Sequence, residues 1–170
     1  MNKNNWLLIG VVFVLAWAVV GRAESDFSQF IANRTLQGEA QELEIDGKYV
    51  KAAKRYLKLA KRTSDPKNQA GWTLRAADCY CTANKSHKAL ELYKNLLANA
   101  PFFVPYEHVV GKLRIIAERF VDGEGTFLGI RDKQTAISIY ELIIQEAPSI
   151  HVSLQDRLRM FELLKETERL

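Results

Sequence analysis

Two cysteines and a histidine form the short stretch of this chain whose residue types and spacing most invite chemistry. Cys79 and Cys81 are two residues apart, and His87 follows them. On a helix, residues two apart point to nearly opposite faces, so their Cβ atoms do not reach disulfide distance. One histidine beside a Cys-x-Cys pair offers too few ligands for a zinc site. We expect both cysteines to pack as small apolar residues, without a metal or cofactor.

Other residues suited to catalysis are scattered along the chain. His87, His108 and His151 each lie near a different predicted helix start or turn, and no serine, cysteine and acid constellation accompanies them. The three glycines between 122 and 133 lack the preceding strand and the following Lys-Ser/Thr pair of a phosphate-binding loop. We expect a protein that is not an enzyme, and keep an enzyme or metal protein using Cys79, Cys81 and His87 as a third hypothesis.

The elements that carry these residues are predicted to be helices. Apolar residues recur with helical periodicity after residue 33, and no segment alternates apolar and polar residues long enough to predict a strand. The sequence therefore predicts an all-α fold.

Three stretches of the chain repeat one pattern, in which an alanine precedes a tyrosine by four positions and a proline follows. The copies are Ala52 with Tyr56, Ala89 with Tyr93 and Ala136 with Tyr140, followed by Pro66, Pro101 and Pro148. A repeated helical unit cannot bury its apolar face alone, so its neighbours stack into a solenoid, and solenoids commonly bind other proteins.

The repeats predict three helical hairpins at 34–66, 67–101 and 105–148, with a glycine-rich insertion at 122–133 in the third. Asp65 before Pro66 predicts a helix start, and Ser86 predicts another.

A final helix is predicted within residues 149–170. It opens with Ser153 and Asp156 in the manner of a capping box. We expect this helix either to cap the array or to belong to a longer one.

Residues 1–23 have the outline of a secretory signal. An apolar run of 15 residues, Trp6–Val20, precedes Gly21-Arg22-Ala23, which places small residues where a signal peptidase reads. The run is shorter than the roughly 20 residues that span a bilayer core. We expect cleavage after Ala23, leaving 24–33 as a linker or first packing turn; the alternative is an uncleaved anchor. The chain lacks a cysteine where a bacterial lipoprotein would be lipidated.

Charge is nearly balanced overall but concentrated in one predicted helix. The net charge is +4, from 24 basic and 20 acidic residues, which does not favour a nucleic-acid partner. The helix predicted at 48–62 has no acidic residue, and Lys51, Arg55, Lys58 and Arg62 form one stripe along it. This stripe could face acidic lipid head groups or an acidic partner. Acidic residues of the preceding helix can offset its positive charge, and we favour the interpretation that it is a solvated face.

The hairpins resemble the tetratricopeptide repeat over residues 34–148. In the second hairpin the family positions are matched by Ala77, Tyr80, Ala89, Tyr93 and Pro101; in the third by Ala117, Phe120, Ala136, Tyr140 and Pro148; and in the first by Ala40, Leu43, Gly47, Tyr49, Ala52 and Tyr56. The resemblance implies a right-handed superhelix of about three hairpins plus a terminal helix. With an export signal, the array is more distantly similar to the periplasmic tetratricopeptide lipoprotein of the outer-membrane β-barrel assembly machine.

The resemblance also implies a concave groove lined by the first helix of each hairpin. The implied groove residues are Arg34, Gln37, Gln41, Glu44, Leu74, Asp78, Cys81, Arg114 and Glu118. Arg34 and Arg114 suit a carboxylate, and the polar side chains suit the backbone of an extended peptide. Phe127 and Leu128 of the insertion either fold back or dock into a partner. The implied function is a non-catalytic, exported docking scaffold in cell-envelope assembly; the alternative is a membrane-tethered organiser of an envelope complex.

Overall fold

The computed structural model describes residue 24 and residues 27–124 and 129–168. Within these residues the protein is all-α, as the periodicity predicts. Seven helices follow one another: α1 (27–45), α2 (Tyr49–Arg62), α3 (Pro66–Thr82), α4 (Ser86–Asn99), α5 (Tyr106–Asp122), α6 (Lys133–Glu146) and α7 (Leu154–Glu168). Short 3-10 turns at Pro101–Phe103 and Ser149–His151 precede α5 and α7. The predicted signal segment 1–23 and the insertion residues Phe127 and Leu128 lie outside the described residues.

The first helix begins earlier than the sequence indicates. Residues 27–33, expected to be a linker or a first packing turn, are helical and continuous with α1. Residues 27–32 are exposed and Asn33 is half-buried, so this part of α1 contributes little to the core.

The first helix of each hairpin ends in the same way. A residue with positive φ stops the helix, at Gly47, Asn84 and Gly123. The following backbone N–H then bonds back five residues: Lys48 to Leu43 at 2.8 Å, Lys85 to Tyr80 at 2.9 Å, and Glu124 to Arg119 at 2.8 Å. This is the hydrogen bond of a Schellman ending, which supplies donors to carbonyls that have no partner within the helix. The three hairpins share this local geometry although their turn residues differ.

Two predicted helix starts are confirmed and one is wrong. The Asp65 carboxylate accepts the Asn68 N–H at 3.0 Å, and Ser153 and Asp156 exchange backbone-to-side-chain bonds of 2.7 and 3.2 Å. Ser86, however, is the first residue of α4 and makes no capping bond. Because the Schellman ending of α3 places Lys85 in the N-cap position, Ser86 is drawn into the helix and buried.

Alanines allow the helices of a hairpin to approach closely. From α2 onward each helix packs against the next, with α4 and α5 sharing the smallest contact. The buried alanines on the first helices are Ala40, Ala77 and Ala117, and those on the second helices are Ala52, Ala89 and Ala136. Tyr56, Tyr93 and Tyr140 are buried one turn after these second-helix alanines. The repeated Ala-to-Tyr spacing thus marks the centre of the core.

Among the described residues, no helix combines the length and apolarity needed to cross a bilayer.

Candidate functional site

The three repeat tyrosines bond to carboxylates on the helix before their own. Tyr56 donates to Glu44 at 2.7 Å, Tyr93 to Asp78 at 2.6 Å, and Tyr140 to Glu118 at 2.7 Å. Burial, followed by these bonds to negative groups, raises the pKa of all three phenols. Each tyrosine is therefore a neutral donor that joins the two helices of its hairpin.

A basic side chain reaches each of these carboxylates, from the next hairpin for Glu44 and Asp78 and from the terminal helix α7 for Glu118. Together they form three junction triads: Glu44, Tyr56 and Arg75; Asp78, Tyr93 and His108; and Glu118, Tyr140 and Arg159. Arg75 lies 3.5 Å from Glu44, His108 lies 2.8 Å from Asp78, and Arg159 lies 2.8 Å from Glu118. Glu44 and Asp78 thus connect their own hairpin to the following one, and Glu118 connects the third hairpin to α7.

The junction triads use three of the residues implied to line a binding groove. Glu44, Asp78 and Glu118 are half-buried and bonded within the protein. Hydrogen bonding from Arg159 lowers the pKa of Glu118, against an opposing contribution from burial. These carboxylates hold the array together.

Arg114, also implied to bind a carboxylate, already binds one from this chain. Its Nε and Nη2 donate to the two oxygens of Asp156 at 2.7 and 2.8 Å, and Nη2 also donates to the His151 carbonyl at 3.0 Å. Burial alone would raise the pKa of Asp156, but hydrogen bonds from Arg114 and Ser153 outweigh it and lower the pKa. This pair anchors α7 to α5.

A cavity of about 480 Å³ lies between α5, α6 and the start of α7. The residues lining it are Arg114, Glu118, Tyr140, Ser153, Gln155, Asp156 and Arg159. Its charged groups bond to one another, because Arg114 pairs with Asp156 and Arg159 pairs with Glu118. The hydrogen-bonding capacity of the polar groups that line this cavity is therefore largely used within the protein.

A second cavity, at the other end of the array, has polar groups that are not used. This N-terminal cavity, of about 350 Å³, is lined by Phe30, Asn33, Arg34, Gln37, Leu59, Thr63, Asn68 and Trp72. Asn33 Oδ1 is buried and accepts no hydrogen bond from the described residues. The Arg34 side chain makes no ion pair with the described carboxylates. An unused acceptor and an unpaired cation thus lie in one cleft with the apolar surface of Phe30 and Trp72.

The tertiary structure fixes the wall of this N-terminal cavity. Trp72 on α3 stacks on Tyr56 with ring centroids 5.9 Å apart and planes within 9°. Tyr56 is itself fixed by its bond to Glu44, so the first junction triad holds the indole. Sequence reasoning identified Arg34 and Gln37 but missed Asn33, Asn68 and Trp72. Trp72, a tryptophan on the first helix of a hairpin that the sequence analysis left unexplained, was the signal that could have indicated this cavity.

The remaining implied groove residues separate into three environments. Gln41 is exposed, whereas Leu74 is half-buried and packs against the core. Cys81, also expected at the groove, is buried at 2% exposure, so that assignment is wrong. It lies on the side of α3 that meets α5, where Arg119 donates to its carbonyl at 2.7 Å.

The cysteines and histidines do not form one cluster. Cys79 and Cys81 are buried free thiols, as their spacing predicts. His87 packs edge-on against Phe120 at 4.7 Å, and His151 stacks on Tyr106 at 6.0 Å. In the part of the chain that the structure describes, no group of three or more His, Cys, Asp or Glu residues has metal-binding geometry.

No family model matches this chain, and no curated protein or solved structure matches it either.

Proposed function

We propose that this protein is a non-catalytic docking scaffold, a tetratricopeptide-like right-handed superhelix of three hairpins and a terminal helix. The three hairpins share the Schellman ending, the buried alanine contacts and the junction triads, which supports their equivalence. Carboxylates that bridge successive hairpins restrict their relative movement. A receptor that is already ordered loses little conformational freedom when it binds.

The N-terminal cavity is the observation that carries the docking proposal. Asn33 Oδ1 is a buried acceptor without a donor among the described residues, and the exposed Arg34 is available to an external acceptor. A peptide offers both, through its backbone amides and through an acidic side chain or terminal carboxylate. Phe30 and Trp72 supply apolar surface for a neighbouring side chain. The partner we propose is an extended peptide segment with a carboxylate.

Selection of peptides tests this proposal. A displayed random-peptide library is selected on the full chain, and enriched peptides are titrated by calorimetry. We expect them to contain Asp, Glu or a free C-terminus, and to bind Arg34→Ala/Gln37→Ala at least about tenfold more weakly. Both residues lie outside the junction triads, so circular dichroism of the variant should remain native.

The matched control is Arg157→Ala/Gln134→Ala, which removes the same two residue types from exposed positions on α7 and α6. It should bind the peptides as the native protein does. Failure to enrich any peptide, or equal weakening in both variants, would reject the N-terminal cavity as the docking site.

We further propose that the scaffold is exported and acts in assembly of the cell envelope. The signal-like segment 1–23 supports export. The mass of the mature chain tests it: a chain that begins at Glu24 is released, whereas one that retains Trp6–Val20 is the membrane-tethered organiser of the alternative proposal. The distance between the apolar run and α1 is short enough in sequence to hold the first hairpin close to a bilayer.

A further inference from the structure

The outward side of α2 is strongly basic. This helix buries Ala52, Tyr56 and Leu59 against the rest of the protein. Its opposite side forms the basic face, defined as Lys51, Lys54, Arg55, Lys58, Lys61 and Arg62, all exposed. No acidic residue occurs in α2. At 100° per residue the six side chains project into less than half of the helix circumference.

Neighbouring carboxylates neutralise little of the basic face. Arg55 Nε lies 3.1 Å from Glu39 Oε2 on α1. Within the described residues, no ion pair joins Lys51, Lys54, Lys58, Lys61 or Arg62 to a carboxylate. Direct ion pairing with α1 therefore involves one of the six basic residues. The other five are exposed to solvent.

Exposed apolar side chains lie at one end of the basic face. Gln29 Nε2 donates to the Arg62 carbonyl at 3.4 Å, which places the start of α1 beside the end of α2. Phe27, Phe30 and Ile31 are exposed on that first part of α1. Aromatic and aliphatic residues beside a row of lysines are characteristic of surfaces that lie in a membrane interface.

The order of segments along the chain agrees with a lipid surface. The apolar run Trp6–Val20 ends a few residues before Phe27. Any attachment through that run brings the first hairpin, and with it the basic face, to the head groups. An acidic protein partner explains the lysines but not the apolar residues at their margin.

We propose that the basic face of α2, with Phe27, Phe30 and Ile31 at its margin, binds the anionic head groups of a lipid bilayer. The lysine ammonium groups contact phosphates as point charges, and the aromatic rings enter the interface. This contact orients the array on the membrane. The contact shares Phe30 with the N-terminal cavity, but none of the six basic residues lines that cavity, so lysine variants test it separately from the peptide site.

Vesicle sedimentation tests the proposal with the full chain. Phosphatidylcholine vesicles measure the background that Trp6–Val20 contributes, and vesicles with one-third phosphatidylglycerol measure the added electrostatic binding. We expect half-maximal binding at about tenfold less lipid with the anionic vesicles, and loss of this gain in about 0.5 M NaCl. The variant Lys54→Gln/Lys58→Gln/Lys61→Gln should lose most of the gain.

A second triple variant, Lys67→Gln/Lys85→Gln/Lys94→Gln, removes the same charge from exposed positions on α3, α4 and the turn between them. It should keep most of the gain while showing the same circular dichroism. Equal loss in both variants would overturn the proposal, since it would reflect net charge alone. Equal binding to neutral and anionic vesicles would also overturn it, and binding to polyglutamate in that case would indicate an acidic protein partner.

Discussion

Tyr93 and His108 meet at the same oxygen. The tyrosine hydroxyl lies 2.6 Å and the imidazole Nε2 lies 2.8 Å from Asp78 Oδ1. Tyr93 comes from the second helix of the same hairpin, and His108 comes from the first helix of the next. One carboxylate oxygen therefore connects three helices at the junction where α4 and α5 share the smallest contact.

Replacing the buried tyrosines should destabilise the protein strongly. We expect Tyr93→Ala and Tyr140→Ala each to lower the free energy of unfolding by about 3 to 5 kcal/mol, because each removes a buried ring and leaves a carboxylate without its donor. Urea denaturation measures this. Phe102→Ala, at a side chain that is 94% exposed, serves as the control and should change stability by less than about 0.5 kcal/mol. A loss below about 1 kcal/mol for both tyrosines would contradict their role as core residues.

Removal of Arg114 should isolate a buried charge. Asp156 is 2% exposed and loses both of its guanidinium bonds in Arg114→Ala. We expect a loss of about 3 kcal/mol, since breaking one side of a buried ion pair leaves the other uncompensated. The control Arg157→Ala, at an exposed position on α7, should change stability little. A double-mutant cycle with Asp156→Asn should show that most of the loss depends on the carboxylate.

Acid should weaken the attachment of α7. The pKa values of Glu118 and Asp156 are lower in the folded protein than their usual values. A carboxyl with a depressed pKa adds stability above its unfolded pKa, and that stability is lost as the pH falls through the folded pKa. We therefore expect a plateau near neutral pH and a decline below about pH 4.

Thermal unfolding across this pH range, followed by circular dichroism, measures the decline. Glu118→Gln and Asp156→Asn should each be less stable at neutral pH and should show a shallower decline in acid. An unchanged pH profile in both variants would mean that other groups cause the acid sensitivity.

Alanine substitutions at two glycines should change the free energy of unfolding in opposite directions. Gly123 has φ of 80°, and a Cβ there would collide with the Gly129 carbonyl, so Gly123→Ala should destabilise by about 1 to 3 kcal/mol. Gly71 lies within α3 with open space around it, so Gly71→Ala should stabilise by about 0.5 to 1 kcal/mol. Chemical denaturation of the two variants provides the comparison. If both variants changed stability in the same direction, the contrast between the crowded Gly123 and the open Gly71 would be contradicted.

The thiols should react slowly while the protein is folded. Burial, with smaller contributions from Glu44 and Asp78, raises the pKa of Cys79 to about 12. Burial also raises the pKa of Cys81. Because the thiolate is the reactive form, we expect little alkylation by iodoacetamide at pH 8 in native buffer and complete alkylation in urea. Mass spectrometry distinguishes the two states, and rapid native labelling of either cysteine would contradict its burial.

The sequence predicted the parts of the fold that depend on local pattern. The Ala-to-Tyr spacing located Tyr56, Tyr93 and Tyr140 in the core, because a helix buries one face with a fixed period. The capping box at Ser153 and the start at Asp65 were also predictable, since both use contacts within a few residues. Ser86 was assigned wrongly because its role depends on how the preceding helix ends.

The junction triads were beyond sequence reasoning. Arg75, His108 and Arg159 differ in type and in their position along their helices, so no repeat connects them. Which carboxylate each one reaches depends on how the next hairpin is placed, and that placement is set by packing across the whole array. The same limitation explains why Glu118 and Arg114 were interpreted as ligand-binding residues although the chain already supplies their partners.

The ends of α5 and α6 hold each other directly. The Asp132 N–H donates to the Phe120 carbonyl at 2.8 Å, and Gly123 lies against Gly129. Because these flanking residues are held together, lengthening the segment between them should change its closure entropy only slowly. Residues 125–128 therefore mark a position at which an epitope, a fluorescent reporter or a longer recognition segment can be grafted while the stacking of the hairpins is preserved.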